Sequence, residues 1–200
     1  AALDKKALQI EVIDLRGIAM DRLEHRLARL EDTHRSVIAA AYENLSGTNQ
    51  VHRAILRMMD ADTFAGLLTA MFGEVADILR VDALRLVLET ADPDAVSTDE
   101  GISAVMPEHY VDGYITVGRN MPARQVTLRP ISKLGGGLYG DRAKYIQSEA
   151  CLKVDLGDGK MPAMLVMGSE NPHLFTPQQG TDLLTFFAGV FERSVRRWLA

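Results

Sequence analysis

Five histidines and one cysteine are the residues most suited to metal or nucleophilic chemistry. His25, His34, His52, His109 and His173 are scattered along the chain. No two of them sit at the three- or four-residue helical spacing that a zinc site uses, and Cys151 has no second cysteine to join. Gly135, Gly136 and Gly137 are followed by no Gly-Lys-Ser/Thr, so they make a turn and not a phosphate loop. The Gly-x-Ser-x-Gly elbow of a serine hydrolase is also absent. These absences point away from an enzyme and away from a bound cofactor or metal. What remains is a polar set in one irregular stretch: His109, Tyr110, Tyr114, Arg119, Arg124, Arg129 and Tyr139. Arginine suits a carboxylate or phosphate because its planar donors engage two oxygens. Arg129 follows the strand-like Val126-Thr127-Leu128 and precedes Pro130, so a stiff element holds it. The expected ligand is a small, partly apolar molecule with an acidic group. Arg129 would be its counter-charge, with Tyr114, Tyr110, Tyr139 and His109 beside it. The expected cavity is walled by the central hairpin and capped by Met106 to Tyr145.

The elements that would carry this set are read from periodicity. Residues 1–60 have helical spacing, balanced charges and no proline. One seven-residue series runs Ile13, Met20, Leu27, His34, Ala41, Thr48, Ile55; its companion runs Leu23, Leu30, Val37, Asn44, Val51, Met58. Together they form a coiled-coil seam, with Arg16 weakening its start. Arg26 and Glu31 stand five residues apart at flanking positions, the spacing that pairs across a parallel dimer. The expected homodimer contact is Met20, Leu23, Leu27, Leu30 and Val37. Gly47 predicts a kink or break there.

A second helix is expected after Asp62 as N-cap, burying Phe64, Leu67, Leu68, Met71, Phe72, Val75, Ile78 and Leu79. The period then changes to two: Leu84, Leu86 and Leu88 alternate with Arg85, Val87 and Glu89, a strand. Residues 91–101 have loop composition, and 102–148 hold several prolines and glycines. Glu149 to Leu156 alternates again, and Asp158-Gly159 is a turn pair. The return strand, Met161 to Gly168, is apolar on both faces, as a strand covered on both sides requires. A last helix is expected from Thr176 as N-cap with Pro177 and Gln179 following, burying Phe187, Phe191 and Val195. The order gives an α+β class: an antiparallel sheet with helices on one face and loops or short helices on the other. The expected division is 1–60 as the long helix, its end packing on the sheet, and 61–200 as the sheet domain.

This order resembles a GAF domain. Within that fold the chain resembles a bacterial group, domain-of-unknown-function family 484. The resemblance rests on Ser148-Glu149-Ala150-Cys151-Leu152, on Pro162-Ala163-Met164-Leu165-Val166-Met167-Gly168-Ser169, and on Asn171-Pro172-His173-Leu174-Phe175-Thr176-Pro177. Gly180-Thr181-Asp182-Leu183-Leu184 and Leu138-Tyr139-Gly140 add to it, as does the first helix, rich in Arg, Glu and Leu. Asn171 stands where the family has an acid, and Pro162 where it has glycine. The family's further N-terminal segment is not recognisable. The resemblance implies a GAF-like fold and a pocket, not a reaction. The methionine-sulfoxide reductases on this fold need several cysteines, and this chain has one.

Composition bounds the rest. The chain has 200 residues, 22 Lys+Arg, 27 Asp+Glu and a net charge of -5. That balance offers no general field for nucleic acid or an anionic membrane, and no stretch has the apolar length of a membrane span. One cysteine excludes a disulfide framework and fits a cytoplasmic location. The expected function is a non-enzymatic sensory or regulatory GAF-like module, dimerising through its N-terminal helix and binding a small acidic ligand. The alternative is an interaction scaffold with a vestigial pocket. Either role needs a partner protein, whose identity the sequence does not carry.

Overall fold

The computed structural model describes residues 15–92, 104–131 and 136–199. Ile13 at the head of the seam, the loop from 93 to 101 and Gly135 lie outside the described residues. The first helix, α1, spans Leu15–Met59, 45 residues. The compact units divide within it, at Leu45/Ser46.

In residues 15–45, α1 carries the seam on a helix whose apolar side chains stand in water. Met20, Leu23, Leu27, Leu30 and Val37 are each between 57% and 67% exposed. Arg35 lies 3.9 Å from Glu31 and 3.7 Å from Asp32, pairs of the kind that support an exposed helix by only tenths of a kcal/mol.

In residues 46–200, the end of α1 joins a sheet. Val51, Ile55 and Met58 continue the two seam series and are buried. No break occurs at Gly47. Its roughly 1 kcal/mol helix penalty is outweighed by the burial of Val51, Ala54 and Met58 just beyond it. The α2 helix, Phe64–Ala70, is capped by Thr63, not Asp62: the Thr63 Oγ1 accepts from the Gly66 N–H at 3.0 Å. A π-turn over Met71–Val75 leads into α3, Ala76–Leu79. Arg57 and Glu74 pair through two bonds, 2.5 and 3.0 Å, and so tie α1 to that turn.

Five strands follow: β1 Ala83–Glu89, β2 Ala104–Met106, β3 Val126–Pro130, β4 Ser148–Val154 and β5 Ala163–Ser169. They form one sheet in the order β2-β1-β5-β4-β3. It is a mixed sheet and not an all-antiparallel one, because β1 and β2 run parallel while the other pairs are antiparallel. β3 is an edge. Ile131 and Lys153 bond across to Gln147 and Gln125, so the ladder parity turns Pro130 outward, where a missing N–H costs no ladder bond. Gly157 and Gly159 hold φ of 106° and 72° in the β4–β5 connection, which lets the Asp158-Gly159 turn form inside a wider loop.

The two faces of the sheet are both covered. Leu84, Leu86, Ala150, Leu152, Val154, Leu165 and Met167 pack with the end of α1, with α2 and with α6, Asp182–Leu199. Phe187 and Phe191 of α6 are fully buried there. This helix begins at Asp182 and not at Thr176. Gln179 does return its side-chain oxygen to the Thr176 N–H at 3.0 Å, but this closes a separate turn. On the opposite face, Ala83, Val87, Cys151, Met164 and Val166 pack under α4, Tyr110–Thr116, and α5, Gly136–Tyr139.

Candidate functional site

The charged centre of that second face is Glu149, which is fully buried on β4. Its register partner on β3 is Arg129. Side chains of directly opposed residues stand on the same face, so the pairing aims both groups under α4. Arg129 Nε donates to Glu149 Oε1 at 2.8 Å. Tyr114 and Tyr139 donate their hydroxyls to Glu149 Oε2 at 2.7 and 3.0 Å. A buried carboxylate is tolerable when paired and hydrogen-bonded in this way.

Arg129 also closes a helix. Its Nη1 donates to the carbonyls of Tyr114 and Ile115, at 2.9 and 3.0 Å. Those are last-turn carbonyls of α4, where helical partners run out; the Tyr114 carbonyl also accepts from the Val117 N–H at 3.3 Å. The guanidinium lies 4.9 Å from the Tyr114 ring centroid. Only Nη2 is buried without a hydrogen bond, among the described residues. At the other end of α4, Glu89 from the end of β1 accepts from the N–H groups of His109 (3.2 Å) and Val111 (2.6 Å). Lys153 pairs with Asp112 at 2.5 Å. A seven-residue helix is too short to persist alone; β1, β3 and β4 each bond to this one.

Room for α5 comes from Gly168. It is the β5 partner of Glu149 in the register. A Cβ there would meet Tyr139 Cε1 at 2.7 Å and Ile146 Cγ2 at 3.1 Å. Gly168→Ala is therefore expected to push Tyr139 off Glu149 and cost about 1–3 kcal/mol, the usual range for overpacking. An unchanged urea midpoint would contradict this close approach.

The electrostatics follow from burial. Burial first, then the Glu149 charge, push the Tyr114 and Tyr139 phenols above the ordinary tyrosine range. The same two causes push up the Cys151 thiol, which is fully buried in that face. Both tyrosines stay protonated and keep donating. A folded pKa above the unfolded one means that their stabilisation is complete below pH of about 10 and is lost as pH rises beyond it. Stability should fall above that pH, by about 1.4 kcal/mol per unit for each tyrosine. Tyr139→Phe should remove one such increment from the slope; an identical alkaline slope would contradict the assignment.

Of the residues singled out in the sequence, Arg129, Tyr114 and Tyr139 meet in this network, and Tyr110 stacks on Tyr114 at 5.9 Å. His109 does not join them. It is exposed and lines a separate cleft with Glu89, Glu108 and Asp112. Between hairpin and middle segment, Tyr114, Tyr139, Leu138 and Ile146 pack together with the ion pair. The charge opposite Arg129 is internal: Glu149. The sequence reading missed Glu149 as a site residue, although the doubly apolar β5 beside it indicated a covered face. No group of three or more His, Cys, Asp or Glu that could hold a metal occurs among the described residues.

This arrangement rests on the segments that carry the family resemblance. The family model described as "Protein of unknown function, DUF484" matches residues 2–200. The chain belongs to this family. No curated protein matches it. In this DUF484 chain the Ser148–Leu152 segment is the strand that supplies Glu149, and Pro162–Ser169 covers the strand that supplies Gly168. The Asn171–Pro177 segment is anchored to both strands. Ser148 Oγ donates to the Asn171 carbonyl at 2.6 Å, and Ser169 Oγ accepts from the Asn171 N–H at 3.1 Å. Asn171 Oδ1 accepts from the His173 N–H at 2.9 Å, the role an acid would also fill. No helix among the described residues is long and apolar enough to cross a membrane.

Proposed function

We propose that this protein is a non-enzymatic regulatory module of the GAF-like kind, acting as a parallel homodimer through α1 and presenting that helix pair to a partner protein. One observation carries the reading: the seam is buried where α1 meets its own sheet, at Val51, Ile55 and Met58, and exposed from Met20 to Val37. Burying an apolar side chain of this size is worth about 1.5–3 kcal/mol. Five such side chains in a regular heptad make a second copy the natural cover. Arg26 and Glu31 supply complementary flanking charges for a parallel pair.

A non-enzymatic role is supported by the sealing of the acid and the thiol. Glu149 and Cys151 are fully buried, so neither reaches a substrate. The internal pairing of Arg129 with Glu149 favours a module that works through contacts with proteins. A buried thiol with no disulfide partner suits a reducing cytoplasm. Neither nucleic acid nor a membrane surface is a partner in this reading, since the chain is acidic overall.

Orientation is tested by one engineered cysteine. In a parallel, in-register pair, Leu27→Cys faces its own copy, and mild oxidation should link most of the chains into dimers. The same change at Arg29, outside the seam, should give little. Equal cross-linking at both positions would sink the parallel seam.

A further inference from the structure

The outer end of α4 borders a cleft of about 380 Å³, at the edge of the sheet. This space is distinct from the interior packed around Glu149. Its lining includes Arg119, Arg124 and Arg129 together with Thr127, Val117 and Met121, and no acidic side chain. In a chain of net charge -5, Arg119 and Arg124 stand there with no carboxylate among the lining residues, while Arg129 is already paired with Glu149. Charge is sorted along α4, since the cleft near its other end carries Glu89, Glu108 and Asp112.

We infer that this cleft binds a small oxyanion bearing an apolar group, a carboxylate or a phosphomonoester. Arg119 and Arg124 are exposed and make no ion pair among the described residues. They are the two cations available to an incoming anion. Arg129 is different: Glu149 already balances its charge, and its position in the lining is fixed by the α4 carbonyls. It holds the site's shape, and its Nη2 has no acceptor. Val117 and Met121 give the cleft an apolar wall, the mixed lining that small-molecule sites use. The volume lies within the ordinary range of roughly 300–1,000 Å³. A bound anion would bridge the segment after α4 to β3, so occupancy would stiffen that segment. This gives the regulatory reading above an input, and it rests on that reading only for its biological sense; the site itself needs no dimer.

The test is calorimetric titration of the full chain with phenyl phosphate, phenylacetate and neutral benzyl alcohol. The expected result is a Kd below about 1 mM for at least one anion, weaker at about 200 mM salt than at about 50 mM, with no comparable binding of the alcohol. Whichever anion binds more tightly names the source, phosphate or carboxylate. Arg119→Ala with Arg124→Ala should weaken binding about ten-fold or more and leave the melting temperature unchanged, because both side chains are exposed. Failure of both anions to bind, equal binding by the alcohol, or full binding by the double variant would each overturn the site. A Leu23→Glu/Leu30→Glu chain titrated alongside should bind the anion as wild type does. Loss of binding there would overturn a cleft contained in one chain, whereas retained binding in a chain that never dimerised would keep the site and remove only the dimer.

Discussion

Glu149→Ala will lower the stability of the sheet domain by about 3–5 kcal/mol, the cost of leaving one partner of a buried ion pair alone. Three donors converge on this carboxylate, from Arg129, Tyr114 and Tyr139. Its removal strands a guanidinium that is nine-tenths buried, with only the α4 carbonyls and a tyrosine face for company. Small domains have total stabilities of about 5–15 kcal/mol, so this one change removes a large share. A double replacement, Arg129→Met with Glu149→Leu, should be milder than Glu149→Ala, because it leaves no uncompensated charge. It still loses the closure of α4 by Arg129. Urea unfolding gives both numbers. A loss under about 1 kcal/mol for Glu149→Ala would show that the pair is wet and loosely held, contrary to its complete burial.

In the proposed α1 pair, Leu23→Glu with Leu30→Glu will convert dimer to monomer. Leu23 and Leu30 are 59% and 67% exposed on the single chain, so replacing them takes nothing from the core of residues 46–200. In a paired seam the same change brings four carboxylates to the axis, where like charges repel and cannot be solvated freely. The thermal transition of the sheet domain should stay where it was. A drop in that transition with no change in mass would mean that the two leucines serve the chain itself.

Much of the α+β order was legible because hydrophobic period is a strong local signal. The change from helical spacing to alternation at Leu84 marked β1, and the doubly apolar run after Met161 marked β5 as central. What stayed hidden depends on partners distant in sequence. The parallel pairing of β2 places Val87 beside Ala104, and no local pattern encodes that. The short α4 exists because Glu89 and Arg129 bond its two ends from strands, so its own sequence carries little sign of it. Helix ends moved for related reasons. Thr63, next to the expected Asp62, takes the cap of α2, and Gly180 separates the Thr176 turn from α6.

The site was half legible. Arg129, Tyr114 and Tyr139 were picked out by type and by stretch, and they do converge. Their common partner was not. On alternation alone Glu149 reads as the wet side of a half-exposed strand. Only the cover of α4 and α5 makes that side dry, and that cover is a tertiary fact. The outer arginines, Arg119 and Arg124, were visible as polar residues of the same stretch, but their shared cleft depends on the path of the chain after Val117.

The central claim is the helix pair, and the mass of the native protein tests it most directly. Sedimentation equilibrium of the wild-type chain at tens of micromolar, roughly the range in which a weak coiled coil still pairs, should return twice the 22.0 kDa of one chain. It should return the single-chain mass for Leu23→Glu/Leu30→Glu. A wild-type protein that sediments as a monomer at that concentration would contradict the account.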